Sequence, residues 1–215
     1  MMVLTHLILN DMIKVKGQVC EIAICVQDHD HSIRDMARLL FNELSKRTNN
    51  PVYGLLPDII SRLSSVNLDG ESFRSILAFL LSFIKKDRQS EMLLEKIIQR
   101  FPLCDDIEQK ANLMFCIAQL KVTEKSVKTL LENFKLLENA LFHVDVYKQL
   151  SGMISRFRKN ARPEIKPVID EIESKIKTAH DTGVEDADIV SNTVVRKKVG
   201  KGKTVRNKTA LKTIN

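Results

Sequence analysis

The sequence predicts an all-α protein made of stacked helix pairs, and three observations support that prediction. Apolar residues recur at helical spacing nearly everywhere up to Lys177, and no segment shows the sustained alternation of a strand. Proline and glycine, which interrupt helices, number only five and seven in 215 residues. One apolar pattern also occurs twice, with its second copy forty residues after the first. Such an offset is typical of chains built from repeated helix pairs.

The repeated pattern starts with an apolar residue and an arginine, Ile33-Arg34 in the first copy and Phe73-Arg74 in the second. Apolar residues follow at corresponding positions: Met36, Ala37, Leu39, Leu40, Phe41 and Leu44, then Ile76, Leu77, Phe79, Leu80, Leu81 and Ile84. The second helix of a HEAT-type repeat begins in this way, and such repeats recur at roughly 40–47 residues. We therefore predict a HEAT-type solenoid of about ten helices, whose stacked pairs leave an extended surface for partners.

Turn and cap signals separate the predicted helices along the chain. Asn49-Asn50-Pro51 ends one helix, and Pro57 either starts the next helix or kinks it, because proline lacks an amide and fits the first turn. Asp105, three residues before Glu108, resembles a capping box. Pro163 is placed to begin the last helix, whose apolar stripe runs from residue 165 to residue 176.

The pattern dissolves after this stripe, so we divide the chain into a solenoid, residues 1–178, and a disordered tail, residues 179–215, which is first acidic and then basic. The last twenty residues contain eight cations and no acid. These cations are Arg196, Lys197, Lys198, Lys201, Lys203, Arg206, Lys208 and Lys212. Since the whole chain carries +7, the other 195 residues sum to −1, and the basic character belongs to the tail.

Several function classes find no support in the sequence. The four cysteines, Cys20, Cys25, Cys104 and Cys116, lack CxxC spacing and are typical of reduced thiols in a reducing compartment. Cys20, Cys25, His29 and His31 do not match the spacing of common zinc modules, which favours core thiols and surface histidines over a metal site. The chain shows no signal peptide, no apolar run long enough for a membrane span and no catalytic constellation. We expect a protein of the nucleus or cytosol that uses no cofactor.

Two basic clusters are candidate contacts for DNA or a protein partner. The first is the turn that contains Lys14, Lys16 and Gly17, which is either a partner contact or a solvated turn between helices. The second comprises Arg156, Arg158, Lys159, Arg162 and Lys166 at a junction between two helices. Cations near the C-terminus of a helix are favoured by its dipole whatever their function. The second cluster is therefore either a phosphate-contact patch or ordinary helix-end charge.

Several long runs of this sequence resemble the condensin subunit 1 family, the HEAT-repeat, non-SMC regulatory subunits of condensin I. The runs that carry the resemblance are Leu4–Gln18, Phe41–Ser45, Tyr53–Ser64, Lys86–Gln89 and Pro163–Ile176. Together they span about four-fifths of the chain and are similar to the C-terminal conserved region of the family. Because the family protein is several times longer, we expect this chain to be a fragment or a truncated relative. Leu4, Leu7 and Ile8 should then form an exposed apolar face.

The resemblance implies a non-catalytic α-solenoid that binds the kleisin and SMC subunits of condensin and contacts DNA. The ATPase belongs to the SMC partners, so the family supplies no catalytic residue for this chain. The implied location is the nucleus and the chromosome, and the cytoplasm in part of the cell cycle. The alternatives are another HEAT adaptor, of the transport-receptor or phosphatase-scaffold type, and an enzyme, which would need a polar pocket.

Deletion of residues 196–215 tests whether the tail supplies most of the affinity for nucleic acid. Eight cations without an aromatic residue neutralise phosphates but do not read bases, so binding should show no sequence preference. On duplex DNA the log–log dependence on salt should have a slope of up to about −7 if all eight cations engage. Titration at several salt concentrations measures that slope. An unchanged affinity and slope after the deletion would assign the contact to the solenoid.

Overall fold

A computed structural model describes residues 18–48, 50–66, 68–104 and 106–200, with side chains described as far as Gly183 except at Ser65. This part of the chain holds ten α-helices, three short 3-10 segments and no strand, which confirms the all-α prediction. The helices are α1 (Val19–Ile24), α2 (His31–Lys46), α3 (Pro51–Ser65), α4 (Gly70–Leu81), α5 (Asp87–Ile98), α6 (Ile107–Gln119), α7 (Glu124–Glu132), α8 (Phe134–Glu138), α9 (Val144–Arg158) and α10 (Lys166–Gly200).

The helices form two layers. Helices α1, α3, α5, α7 and α10 pack in that order as one layer, and α4, α6 and α9 pack in order in the other. Contacts of α2 with α3, of α3 with α4, of α5 with α6 and of α9 with α10 join the two layers. The short helix α8 lies in the connection between α7 and α9. Successive helix pairs therefore stack as a solenoid, which is the architecture that the forty-residue offset predicts.

The two copies of the sequence pattern bury the same positions. Ala37, Leu40, Phe41 and Leu44 are buried in the first copy, and the residues forty positions later, Leu77, Leu80, Leu81 and Ile84, are buried in the second. These residues join a core that continues from α1 to Ile176 in α10. Because the buried residues recur every three or four positions, each helix turns one apolar stripe towards its neighbours.

Aspartate side chains begin the second helix of three pairs. Asp30, Asp69 and Asp106 each precede a helix and accept a hydrogen bond from a backbone amide of its first turn, at 2.7, 2.8 and 3.3 Å. The sequence placed the third cap at Asp105, and this prediction is wrong by one residue. Asp106 accepts from Gln109 N because a capping side chain reaches the amide two or three residues ahead. Asp105 itself lies outside the described residues.

The structure of α3 shows that Pro57 does not start a helix. The helix begins at Pro51, directly after Asn50, which has a left-handed backbone with φ of +39°. Pro57 lies inside the helix, where the missing amide and the ring cost about 3 kcal/mol. Leu56, Ile59 and Ile60 are fully buried on either side of it. Burying each such side chain contributes about 1.5–3 kcal/mol, so tertiary packing carries the helix through the proline.

Contacts with the packed body continue beyond residue 178, where the sequence predicts that the solenoid ends. His180 Nδ1 lies 2.8 Å from Leu141 O, and its ring stacks on Tyr147 with centroids 4.1 Å apart. A Cβ atom at Gly183 would come within 2.6 Å of Phe142 Cβ, so α10 approaches the α8–α9 connection closely there. A polar ring and a glycine make these contacts, and neither registers in an apolar pattern. The helical backbone continues to Gly200. The disorder predicted for residues 201–215 lies outside the described residues and stays a prediction.

Two adjacent leucines of α2 offer a matched test of this packing. Leu40 is 1% exposed and Leu39 is 49% exposed. Leu40→Ala should lower the free energy of unfolding by about 2–5 kcal/mol, because it removes buried methyl groups and leaves a cavity. Leu39→Ala, the control, should stay within about 0.5 kcal/mol of the parent. Urea denaturation followed by circular dichroism measures both values. Equal losses in the two variants would contradict the assigned face of α2.

Candidate nucleic-acid interface

The structure brings the second basic cluster together at the junction of α9 and α10, and Arg158 bridges that junction. Its Nη2 lies 2.7 Å from Asp170 Oδ1, and its Nη1 contacts Glu173 Oε2. Both acids lie on α10, so one guanidinium at the end of α9 bridges two turns of the following helix. A forked arginine suits this geometry because its donors point in fixed directions. Arg158 therefore serves the fold first.

Two further arginines of the cluster also contact neighbouring pairs. Arg156 donates from Nη2 to Ala118 O at 3.3 Å, which joins the end of α9 to the end of α6. Arg162 Nε lies 3.6 Å from Glu124 Oε1, at the first residue of α7. These contacts link the junction to the previous helix pair. Both arginines are exposed, and exposed ion pairs contribute at most about 1 kcal/mol. Their charge consequently remains accessible to an anion.

Lys159 and Lys166 are the two members of the cluster whose ammonium groups make no contact within the described part of the chain, and both are exposed. Helix-end charge accounts for cations at the end of α9 but not for Lys166. That residue opens α10, where the positive end of the helix dipole disfavours a cation. Helix-end charge thus accounts for the cations at the end of α9, but it does not account for Lys166.

The remaining sequence candidates fall where side chains are not described. Lys14, Lys16 and Gly17 lie outside the described residues, as do Leu4, Leu7 and Ile8. Arg196, Lys197 and Lys198 lie on the last turns of α10, of which only the backbone is described. Lys201, Lys203, Arg206, Lys208 and Lys212 follow the end of the described chain. Their proposed roles in binding remain predictions.

Sequence reasoning missed a set of polar contacts between α5 and α7. Lys121 Nζ lies 2.6 Å from Asp87 Oδ1, and Lys125 Nζ lies 3.6 Å from Glu91 Oε2. Thr123 Oγ1 donates to Glu91 Oε1 at 2.7 Å and also accepts from Ser126 N at the start of α7. The two ion pairs join residues at the same separation in sequence. That equal separation, close to one repeat, is the signal that could have revealed them.

A groove of about 750 Å³ opens between α7, α8 and α10. Its apolar lining includes Leu131, Phe134 and Phe142, the last of which is 37% exposed. Lys135 and Lys175 stand beside these residues. Apolar side chains flanked by charge suit contact with a polypeptide segment, since such interfaces combine an apolar centre with a polar rim.

The described cysteines are arranged as core residues. Burial raises the pKa of the Cys116 thiol to about 12 and also raises the pKa of Cys20 and of Cys25. A raised pKa keeps a thiol protonated at neutral pH, whereas metal binding and nucleophilic attack require the thiolate. The part of the chain that the structure describes shows no group of His, Cys, Asp or Glu side chains placed to hold a metal ion. None of its described helices has the length and apolar character of a membrane span.

The fold and the basic junction together define a class of protein, the two-layer helical-repeat solenoids. Comparison with protein families narrows that class, because residues 1–118 match the family of non-SMC mitotic condensation complex subunit 1. The chain belongs to this family, which confirms the resemblance drawn from the sequence.

Three of the relatives are condensin subunits from a plant and from vertebrates. The chain is 43% identical to condensin-1 complex subunit CAP-D2 of Arabidopsis thaliana, over 91% of this chain and 14% of that protein. It is 41% identical to human condensin complex subunit 1, over 86% of this chain and 13% of that protein. The Xenopus laevis subunit is 42% identical over 87% of this chain and 14% of its own length. The chain thus spans about one-seventh of the length of these relatives.

Alkylation distinguishes a core thiol from a reactive one at Cys116. Because the raised pKa of about 12 leaves almost no thiolate at neutral pH, iodoacetamide at neutral pH should not modify Cys116 in the folded protein. The same reagent in concentrated urea, the control, should modify it fully. Peptide mass spectrometry quantifies the modified fraction. Equal rates in the folded and unfolded protein would show that Cys116 is accessible.

Proposed function

We propose that this chain is a non-catalytic segment of a condensin regulatory subunit and that it binds kleisin and SMC partners and DNA during mitotic chromosome condensation. The observation that carries the proposal is the family match, supported by 41–43% identity to condensin subunits over most of the chain. The proposed location is the nucleus and the chromosome, and the cytoplasm in part of the cell cycle. The role fits a solenoid, which holds several partners along one extended surface.

The use of polar side chains in the structure supports a scaffold. Arg158, Arg162 and Lys121 join neighbouring helices through ion pairs, and Glu91 accepts a hydrogen bond from Thr123 and forms an ion pair with Lys125. Such pairs fix the positions of neighbouring helices. An active site instead leaves its acids and bases turned into a pocket, with pKa values matched to a reaction. The groove between α7, α8 and α10 gives the scaffold an apolar contact for a partner polypeptide.

The alternative of another HEAT adaptor would keep the fold and change the partners. A transport receptor or a phosphatase scaffold offers a similar two-layer surface. The relatives found by comparison are condensin subunits in organisms as distant as Arabidopsis thaliana and Xenopus laevis. This agreement favours the condensin assignment over the other adaptor types.

Affinity capture from a mitotic cell extract tests the proposal. The tagged full chain should enrich SMC and kleisin subunits at least about tenfold over an unrelated helical-repeat protein of similar length, since specific interfaces exceed non-specific contact by more than 1.4 kcal/mol. Quantitative mass spectrometry measures the enrichment. A parallel capture after nuclease treatment separates protein contacts from co-capture on DNA. Enrichment no greater than that of the unrelated solenoid would contradict the proposed function.

A further inference from the structure

We propose that duplex DNA lies along one edge of the solenoid, across the loops that connect successive helix pairs, and not only at the junction of α9 and α10. The inference rests on the DNA contact in the proposed function and names the surface that makes it. The four loops, with the adjoining ends of the helices that they connect, are residues 46–54, 82–91, 120–128 and 156–169. We call them the inter-pair edge.

Direct contacts place the four loops side by side. Asn50 Nδ2 donates to Phe83 O at 3.0 Å, which joins the first loop to the second. Lys121 and Asp87, 2.6 Å apart, join the second to the third. Arg162 and Glu124, 3.6 Å apart, join the third to the fourth. The loops therefore form one continuous edge, in the order in which the chain makes them.

Charge is segregated onto this edge. Its four segments hold thirteen Lys and Arg residues and four Asp and Glu residues, a net charge of +9. The rest of residues 18–183 holds eleven Lys and Arg and nineteen Asp and Glu, a net charge of −8. The body as a whole is close to neutral, so its composition gives no sign of the division. Only the alternation of helix direction between the layers brings the cations together.

Helix dipoles do not account for the excess. Arg88, Lys125 and Lys166 lie in the first turn of α5, α7 and α10, at the end of a helix where a cation is disfavoured. Stability alone would place acids at these positions, as it does at Asp87 and Glu124. Cations kept against the local preference point to a ligand that carries negative charge.

The cations on the edge exceed what its ion pairs use. Lys85, Lys86, Arg88, Lys159 and Lys166 are exposed, and no ion pair in the described residues engages them. They occur on the second and fourth loops. The third loop contributes Lys121, whose exposed pair with Asp87 an anion can replace, and Lys125, whose partner Glu91 is only 16% exposed. Unpaired cations thus lie on the second and the fourth loop, which are two helix pairs apart.

The dimensions suit the backbone of a duplex. Helices that pack within a layer are about 8–10 Å apart, so the four loops span roughly 25–30 Å. One turn of B-form DNA measures about 34–36 Å, and the duplex carries one negative charge per about 1.7 Å of axis. A contact through lysines and arginines on loops reads phosphates and not bases, so we expect no sequence preference.

Neutralising four free cations in the full chain tests the inference. The edge variant carries Lys85→Gln, Lys86→Gln, Lys159→Gln and Lys166→Gln. The control carries Lys96→Gln, Lys110→Gln, Lys148→Gln and Lys177→Gln, which change the charge equally at exposed or half-buried positions away from the edge and from the groove. Fluorescence anisotropy with a labelled duplex of about two helical turns measures affinity at several salt concentrations. Circular dichroism melting checks that both variants fold as the parent does.

We expect the edge variant to lose at least about tenfold in affinity and its salt slope to become shallower by up to about 3.6, since each phosphate contact contributes about 0.9 to the slope. The control should change affinity less than about threefold, because charges beyond a Debye length of about 10 Å are screened. Equal losses in both variants would show dependence on net charge alone and overturn the inference.

Three further outcomes separate this inference from the proposed function. Unchanged duplex affinity in the edge variant, with binding lost only on deletion of residues 196–215, would overturn the inference and keep the DNA contact. An edge variant that binds DNA as the parent does but no longer captures SMC and kleisin subunits would assign the edge to an acidic protein surface. A parent chain that binds no duplex at low salt would contradict the DNA contact itself.

Discussion

Burial of apolar stripes between successive helix pairs is the constraint on which the rest of this structure depends. Helices of a single pair, such as α3 and α4, leave apolar side chains uncovered until the next pair packs against them. The buried residues accordingly form one core from Val19 to Ile176 rather than separate clusters. Because the helices of one layer run opposite to those of the other, the same packing brings the loops between successive pairs to one edge. The packing of the apolar residues therefore also determines which charged residues of different loops lie close together.

The sequence alone predicts what depends on local spacing. Positions forty residues apart, such as Leu40 and Leu80, are buried alike because the same stripe faces the same neighbours in each pair. The third aspartate cap was predicted one residue too early, since adjacent Asp105 and Asp106 satisfy nearly the same composition rule. The contacts beyond residue 178 were not predicted either. His180 and Gly183 pack through a ring and through the absence of a side chain, and a search for apolar periodicity registers neither.

The candidate site was predictable only in part, for a physical reason. A run of cations such as Arg156–Lys166 is visible in a linear sequence, but its pairing with Asp170 and Glu173 depends on how α9 meets α10. The inter-pair edge is still less visible, because its segments are separated by whole helix pairs. Net charge gives no hint of it, since the acids of the remaining surface offset its cations. Folding, and not local composition, creates the basic surface.

The ion pairs along the edge give the solenoid two kinds of joint with different mechanical properties. The apolar core that holds successive pairs together is little affected by salt, whereas the exposed pair Lys121–Asp87 weakens as ionic strength rises. An anion bound at Lys121 competes with Asp87 and frees one side of the joint while the core stays intact. We therefore expect ionic strength to change how firmly two helix pairs are joined at this edge, while the free energy of unfolding depends mainly on the apolar core.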